Sequence, residues 1–306
     1  MLDNRLLEML VCPVCHRELD IEDGKLRCKN VGCRATYRIE EDIPILLPPQ
    51  QLTGALKLTW EKWEKSYSQA SLDIDLENDI CLQDSNRFIR RYADSRKNGI
   101  YFEAGCGLAK NALLLARDGF TVVGLDICLS ALKKAKEIFQ RENRKGFFVC
   151  GDMNCMPFKD NLFSIIYAGG SIEHFSDTLS SVRELRRILL KDGLLLATVP
   201  LVSLSTLTYG QFTGNIPDVP LLHWVAEFVH IKLLKKRLML YGYEKSFTIR
   251  KIYKIFKNAG FLKIEYGPYH THWEIKFFRN SYAKHVIRLI SRLRPFWPFI
   301  YVLAEK

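Results

Sequence analysis

The sequence predicts an α/β protein: a doubly wound, mostly parallel sheet preceded by a small cysteine-bound unit. Three observations carry that expectation. From Gly99 onward, short apolar runs alternate with amphipathic helical segments, the pattern of a parallel sheet covered by helices. A glycine turn, Gly105-Cys-Gly107, stands where the first run ends and a helix begins. Two close cysteine pairs, Cys12/Cys15 and Cys28/Cys33, lie near the N-terminus.

A chain of 306 residues has room for about two domains of ~100–200 residues each. Apolar residues make up 48% and charged residues 26%, which excludes disordered and fibrous classes. No uninterrupted apolar run reaches the roughly 18–20 residues of a spanning helix; the best stretch, 194–207, is broken by serine, threonine and proline. The opening MLDNRLLEML lacks a basic n-region, so a signal peptide is not expected. Nine cysteines in that setting point to a reducing, cytoplasmic location and to metal binding rather than disulfides. The net charge of +11 is uneven: residues 230–306 hold 17 Lys/Arg against four acids, which is the whole basic excess. Such asymmetry fits an anionic partner, either a lipid surface or RNA, and equally a solvated helix face.

Taken in order, residues 1–49 read as short strands and turns around cysteines, closed by Pro48-Pro49. Cys12-Pro-Val-Cys15 and Cys28-Lys-Asn-Val-Gly-Cys33, 12 residues apart, can converge as four thiolates around a tetrahedral zinc ion. With no open position that zinc would be structural, and it would supply folding free energy to a unit too small to rely on its own core. Gly32 is expected to relax the second knuckle, and His16 to be a surplus surface residue. Residues 50–95 read as helical, with Trp60, Trp63 and Tyr67 on one face. The strands are expected at 100–104, 121–125, 147–150, 165–168 and 194–199, with helices at 110–118, 130–143 and 178–190; 299–304 closes the sheet. Residues 201–247 interrupt the rhythm as an insertion, and an apolar helix around Leu221–Val229 runs into Lys232, Lys235, Lys236 and Arg237. That helix suits a substrate lid or a membrane interface.

The glycine turn lets the backbone approach a ligand closely, and the helix N-terminus behind it favours negative groups. Asp126 ends the second strand, nineteen residues past Gly107, where a carboxylate can accept from both ribose hydroxyls of an adenosine. A dinucleotide fingerprint wants Gly or Ala where Lys110 stands.

The segment from Leu6 to Leu47, with its CPVC knuckle and closing IPILL, resembles the zinc-ribbon activator subunit of certain tRNA and protein methyltransferases. The pattern EAGCG…GLD…GDM…PF between Tyr92 and Pro200 resembles the class I S-adenosylmethionine-dependent methyltransferases, in particular the ubiquinone/menaquinone group. The resemblance implies a seven-stranded Rossmann-like sheet over 96–306 with 201–247 as lid, and 50–95 as a helical linker folding over the cofactor. It implies S-adenosylmethionine held by Tyr67, Glu103, Ala104, Gly105, Cys106, Gly107, Asp126, Ile127, Asp152 and Met153. Asp152 would accept from the adenine amino group, with Met153 beside the ring. Ala109 stands where the family often has a third glycine, and binding is expected to survive. In Ser171-Ile-Glu173-His174, the Glu173–His174 pair would border the transferred methyl, with His174 as proton acceptor for a hydroxyl or as a brace of the loop. The activity expected is O- or C-methylation of a small or lipid-linked metabolite, with peripheral membrane contact through the basic C-terminal quarter. The alternatives are RNA methylation and a non-catalytic scaffold whose ribbon recruits a partner.

Overall fold

The computed structural model describes residues 2–47, 54–269 and 281–306; the Pro48-Pro49 break lies outside them. Helix α1 (Asn4–Met9), capped by Asp3 accepting from the Arg5 amide, leads into β1 (Leu19–Glu22), β2 (Lys25–Cys28) and β3 (Thr36–Tyr37). These three strands form a small antiparallel sheet, and β4 (Ile39–Glu40) and β5 (Ile43–Leu46) follow. Left-handed backbone falls at His16 and Arg34, the residue after the second cysteine of each pair, and not at Gly32. The two knuckles therefore turn alike, and the glycine is not what relaxes the second.

Helices α2 (Gly54–Ser68) and α3 (Ile80–Ala93) precede the alternating core: β6 (Ile100–Ala104), α4 (Lys110–Arg117), β7 (Thr121–Asp126), α5 (Leu129–Arg141), β8 (Phe147–Gly151), β9 (Phe163–Gly169), α6 (Thr178–Ile188) and β10 (Leu189–Pro200). An insertion follows with α7 (Leu204–Leu207), β11 (Ile216–Pro217), α8 (Pro220–Glu227) and β12 (Lys245–Ser246); the chain ends with α9 (Ile249–Asn258), β13 (Lys263–Pro268), α10 (Ser281–Ile290) and β14 (Phe299–Glu305). Strands β6 to β9 lie within two residues of their expected bounds, because a continuous apolar run between polar turns is what a strand buried on both faces requires, whereas β10 begins five residues early, at Leu189, where a helix was expected to continue.

The main sheet has the order β13-β14-β10-β9-β6-β7-β8-β5-β4. Six of these strands stand where they were expected, and β13, for which no strand was expected, makes the seventh of the doubly wound set, with β14 antiparallel between β10 and β13. The other two come from the N-terminal unit: β5 pairs parallel with β8 (Ile45 opposite Cys150, Leu46 opposite Gly151), and β4 pairs antiparallel with β5. A second seam runs where Val11 donates to the Pro157 carbonyl at 3.0 Å and Lys159 to the Met9 carbonyl at 3.0 Å. Leu6, Leu10, Leu26 and Tyr37 of the ribbon share one apolar core with Phe102, Phe158 and Phe163 of the large domain. The Phe102 and Phe163 rings stack with centroids 4.5 Å apart.

Candidate functional site

Chain order reverses between β6 and β9, and in such sheets ligands bind outside the carboxyl ends of the strands at that switch point. A cleft with about 740 Å³ of atom-free space lies there, lined among others by Gly105, Asp126, Met153, Gly170, Trp63 and Tyr67. Its floor requires glycine. Gly105 (φ +70) would place a Cβ 2.8 Å from Ser171 Cβ, and Gly107 (φ +52) would place one 2.3 Å from the Tyr67 hydroxyl.

Asp126 ties this floor together. Its Oδ2 accepts from the Gly107 amide at 2.7 Å and its Oδ1 from the Cys128 amide at 2.9 Å. Burial pushes the carboxyl up, and those amides pull the other way. Each oxygen keeps a lone pair for a hydroxyl donor. Glu103 sits beneath the turn, where its Oε2 accepts from the Ala112 amide at 3.0 Å in the first turn of α4; burial pushes it up to about 8. Ala109 opens α4 in the left-handed region, φ +52, and is fully buried. An alanine there costs about 1–2 kcal/mol of backbone strain. Ala109→Gly is therefore expected to raise stability by about 0.5–1 kcal/mol in urea unfolding; a loss of stability would show that the turn carries no strain.

The structure brings Tyr67, Gly105, Asp126, Ile127 and Met153 to the cleft wall. Glu103, Ala104, Cys106 and Gly107 lie in the strand end and turn that support it. Asp152 does not line the cleft: its Oδ1 accepts from the Asn154 amide at 2.8 Å, closing a turn. Thr59, Ser171 and Phe175 line it without having been singled out. The signal for Thr59 was present, since Thr59, Trp63 and Tyr67 fall at i, i+4 and i+8 on α2, the face that meets the cleft, whereas Trp60 lines neither pocket described here.

A second pocket adjoins the first and shares Trp63, Gly169, Gly170 and His174 with it. Trp63 is the common wall, stacked between Tyr67 (centroids 5.4 Å apart) and Tyr241 (5.9 Å), with His174 edge-on at 6.5 Å. His174 Nδ1 lies 2.8 Å from the Tyr243 carbonyl, which can only accept, so Nδ1 carries the proton and Nε2 keeps its lone pair. Burial lowers His174 to about 4, which keeps the ring neutral. Glu173 lines the second pocket, 1% exposed, and burial holds it well above the ordinary carboxylate range. Tyr243 fixes the surroundings: its amide donates to Thr59 Oγ1 of α2 at 3.1 Å and its hydroxyl to Glu227 Oε1 of α8 at 2.6 Å.

In the ribbon, the sulfurs of Cys12, Cys15, Cys28 and Cys33 all lie within 4.8 Å of one another, with Cys12–Cys33 at 3.8 Å and Cys15–Cys28 at 3.3 Å. Zinc–thiolate bonds of about 2.3 Å in a tetrahedron put sulfurs about 3.8 Å apart, so the cluster fits a structural zinc ion. The Tyr37 hydroxyl, 3.2 Å from Cys12 Sγ, and the Asn30 amide, 3.4 Å from Cys28 Sγ, supply donors to the sulfurs, which orients and stabilises thiolates that hold a metal. His16 is exposed and stands outside the cluster.

The fold is that of a Rossmann-like methyltransferase domain, joined to a cysteine ribbon. Residues 102–197 match the family described as methyltransferase domain, and residues 3–42 the family described as Trm112p-like protein. Over 51 residues the chain is 45% identical to a UPF0434 protein of Nitrosococcus oceani, covering 16% of this chain and 83% of that protein. The ribbon belongs to this family of small proteins, fused here to a methyltransferase domain. An uncharacterized protein of Methanocaldococcus jannaschii is 26% identical over 46% of this chain and 58% of its own length, and the demethylmenaquinone methyltransferase of Thermotoga maritima 32% identical over 34% and 42%. The chain thus spans less than two thirds of either. Among solved structures, phosphoethanolamine N-methyltransferase 2 of Haemonchus contortus superposes with a TM-score of 0.56 at 17% identity, over 86% of this chain and 61% of that one, and this likeness is one of fold.

Proposed function

We propose that the chain transfers the methyl group of S-adenosylmethionine to a small or lipid-linked acceptor seated in the second pocket. The observation that carries this reading is the shared wall: Trp63, His174 and the Gly169-Gly170 turn face both pockets, so a donor in one and an acceptor in the other meet across them. The donor supplies an already activated sulfonium methyl. The protein's share is alignment and exclusion of water, worth several kcal/mol. Asp126 would hold the ribose, Gly105 and Gly107 the methionine part, and Met153 the adenine face, with Asp152 shaping the turn behind it. His174 Nε2 offers a neutral base to an acceptor that must lose a proton.

A lipid-linked acceptor is favoured by the insertion that supplies Tyr241 and Glu244 to the second pocket. Leu221, Trp224, Val225 and Phe228 on and just after α8 are exposed, Trp224 at 65%. Lys232, Lys235, Lys236 and Arg237 follow directly, an apolar ridge with a cationic end that suits an anionic lipid interface. No helix among the described residues is long and apolar enough to cross a membrane.

The test is label transfer from S-adenosylmethionine into organic-soluble and water-soluble extracts. Label is expected in a defined acceptor, and His174→Ala should lower turnover by about 100-fold with donor binding retained. Unchanged turnover would remove His174 from the proton path, and no transfer to any fraction would remove the reading itself.

A further inference from the structure

The second pocket has a composition that the shared wall does not require. Its aromatic lining, Trp63, Tyr167, Tyr241, Tyr269 and Phe299, comes from five segments, and two acids, Glu173 and Glu244, open onto the same space of about 750 Å³. Gly169 leaves room for the Tyr167 ring, whose Cζ and hydroxyl would lie 2.3 Å from a Cβ there. Glu173 Oε2 has no hydrogen-bond partner although the residue is 1% exposed. Glu244 spends one oxygen on Asn215 Nδ2 at 2.9 Å. Among the described residues neither acid forms an ion pair. The neighbouring ammonium, Lys245, is committed to the Ser176 carbonyl at 3.1 Å and Thr178 Oγ1 at 2.9 Å. The ring of His174 is neutral.

One buried acid and one half-buried acid, neither paired with a cation among the described residues and both walled by electron-rich ring faces, are the complement of a positively charged group. We propose that the acceptor is an amine, bound as its ammonium ion between Glu173, Glu244 and the Trp63–Tyr241 stack, and methylated on nitrogen. This rests on the methyltransferase reading and narrows it, in place of the oxygen or carbon acceptor expected from sequence. Burial and the Glu244 charge hold Glu173 far above the usual carboxylate range, so its carboxylate is matched to taking a proton from an ammonium ion. That transfer leaves the neutral amine. The nitrogen lone pair then forms the N–C bond as the C–S bond breaks, its electron pair staying on the sulfur as a neutral thioether, and the positive charge passes to the methylated ammonium.

The experiment uses the full chain saturated with S-adenosylhomocysteine, so that the donor cleft is filled, with tryptophan fluorescence and calorimetry as readouts. Choline is the probe and 3,3-dimethylbutan-1-ol its uncharged carbon isostere. Choline is expected to bind saturably, about tenfold or more tighter than the isostere, and Glu173→Gln to erase that preference; Glu244→Gln is the second variant should the first not fold. Equal binding of the two probes, or a preference that survives in a folded Glu173→Gln protein, overturns the amine proposal while bound S-adenosylhomocysteine leaves the methyltransferase reading standing. Failure of S-adenosylhomocysteine itself to bind would strike that reading and the proposal with it.

Discussion

Asp126→Ala is expected to weaken S-adenosylmethionine binding by about 100-fold or more. The carboxylate has two tasks. In the proposed donor site it would offer charged acceptors to the ribose hydroxyls, each such bond worth about 1.5–3 kcal/mol, and it holds the Gly107 and Cys128 amides at 2.7 and 2.9 Å. Truncation removes both, leaving two buried amides unpaired and the turn free to leave its strained φ values. Calorimetry on the wild-type and variant proteins measures the effect, with thermal unfolding to show that the variant is folded. Asp126→Asn keeps one acceptor oxygen and should fall between. Binding of the alanine variant within about threefold of wild type would place the ribose elsewhere, because the loss of even one charged hydrogen bond exceeds that.

The second large effect is expected from the metal. Removing zinc with a chelator, or replacing Cys12 and Cys15 by serine, should lower the midpoint of thermal unfolding by about 10 °C or more. Apparent binding free energies for structural zinc in small modules run to about 10–16 kcal/mol. The damage would not stop at the ribbon. Leu6, Leu10 and Tyr37 lie in the same core as Phe102 and Phe158, and β5 covers the edge of β8. β8 ends in Gly151 at the cleft wall, so donor binding should weaken as well. Metal analysis and a melting curve with and without chelator decide it: an unchanged midpoint in a protein free of zinc would show that the four cysteines pack without an ion.

Much of this architecture was legible because its signals are local. Strands β6 to β10 are apolar runs cut by turns, and the glycines at 105 and 107 with Asp126 sit at strand ends, where one reading of the chain finds them. What stayed hidden is non-local. Ile43-Pro-Ile-Leu46 reads as the end of a unit, because a proline and a short run argue against an interior strand, yet its partner β8 lies more than a hundred positions downstream. The second pocket draws Trp63, Tyr167, Glu173, Tyr241, Glu244 and Tyr269 from α2, β9 and its following turn, the insertion and the residue after β13. No spacing rule links them. Asp152, expected as a ligand from its register after β8, also closes a turn, its Oδ1 accepting from the Asn154 amide, which no spacing foretold.

The parallel pairing of β5 with β8 also changes how the protein behaves on dilution. A ribbon carried on a separate chain would leave the sheet edge as concentration fell below its dissociation constant. Here the ribbon strand and the sheet it completes belong to one polypeptide, and a short covalent tether holds the two at an effective concentration in the millimolar range. Stoichiometry is fixed at synthesis, so no surplus of either half arises. An ordinarily exposed strand edge, a route to unwanted pairing between molecules, is capped from within.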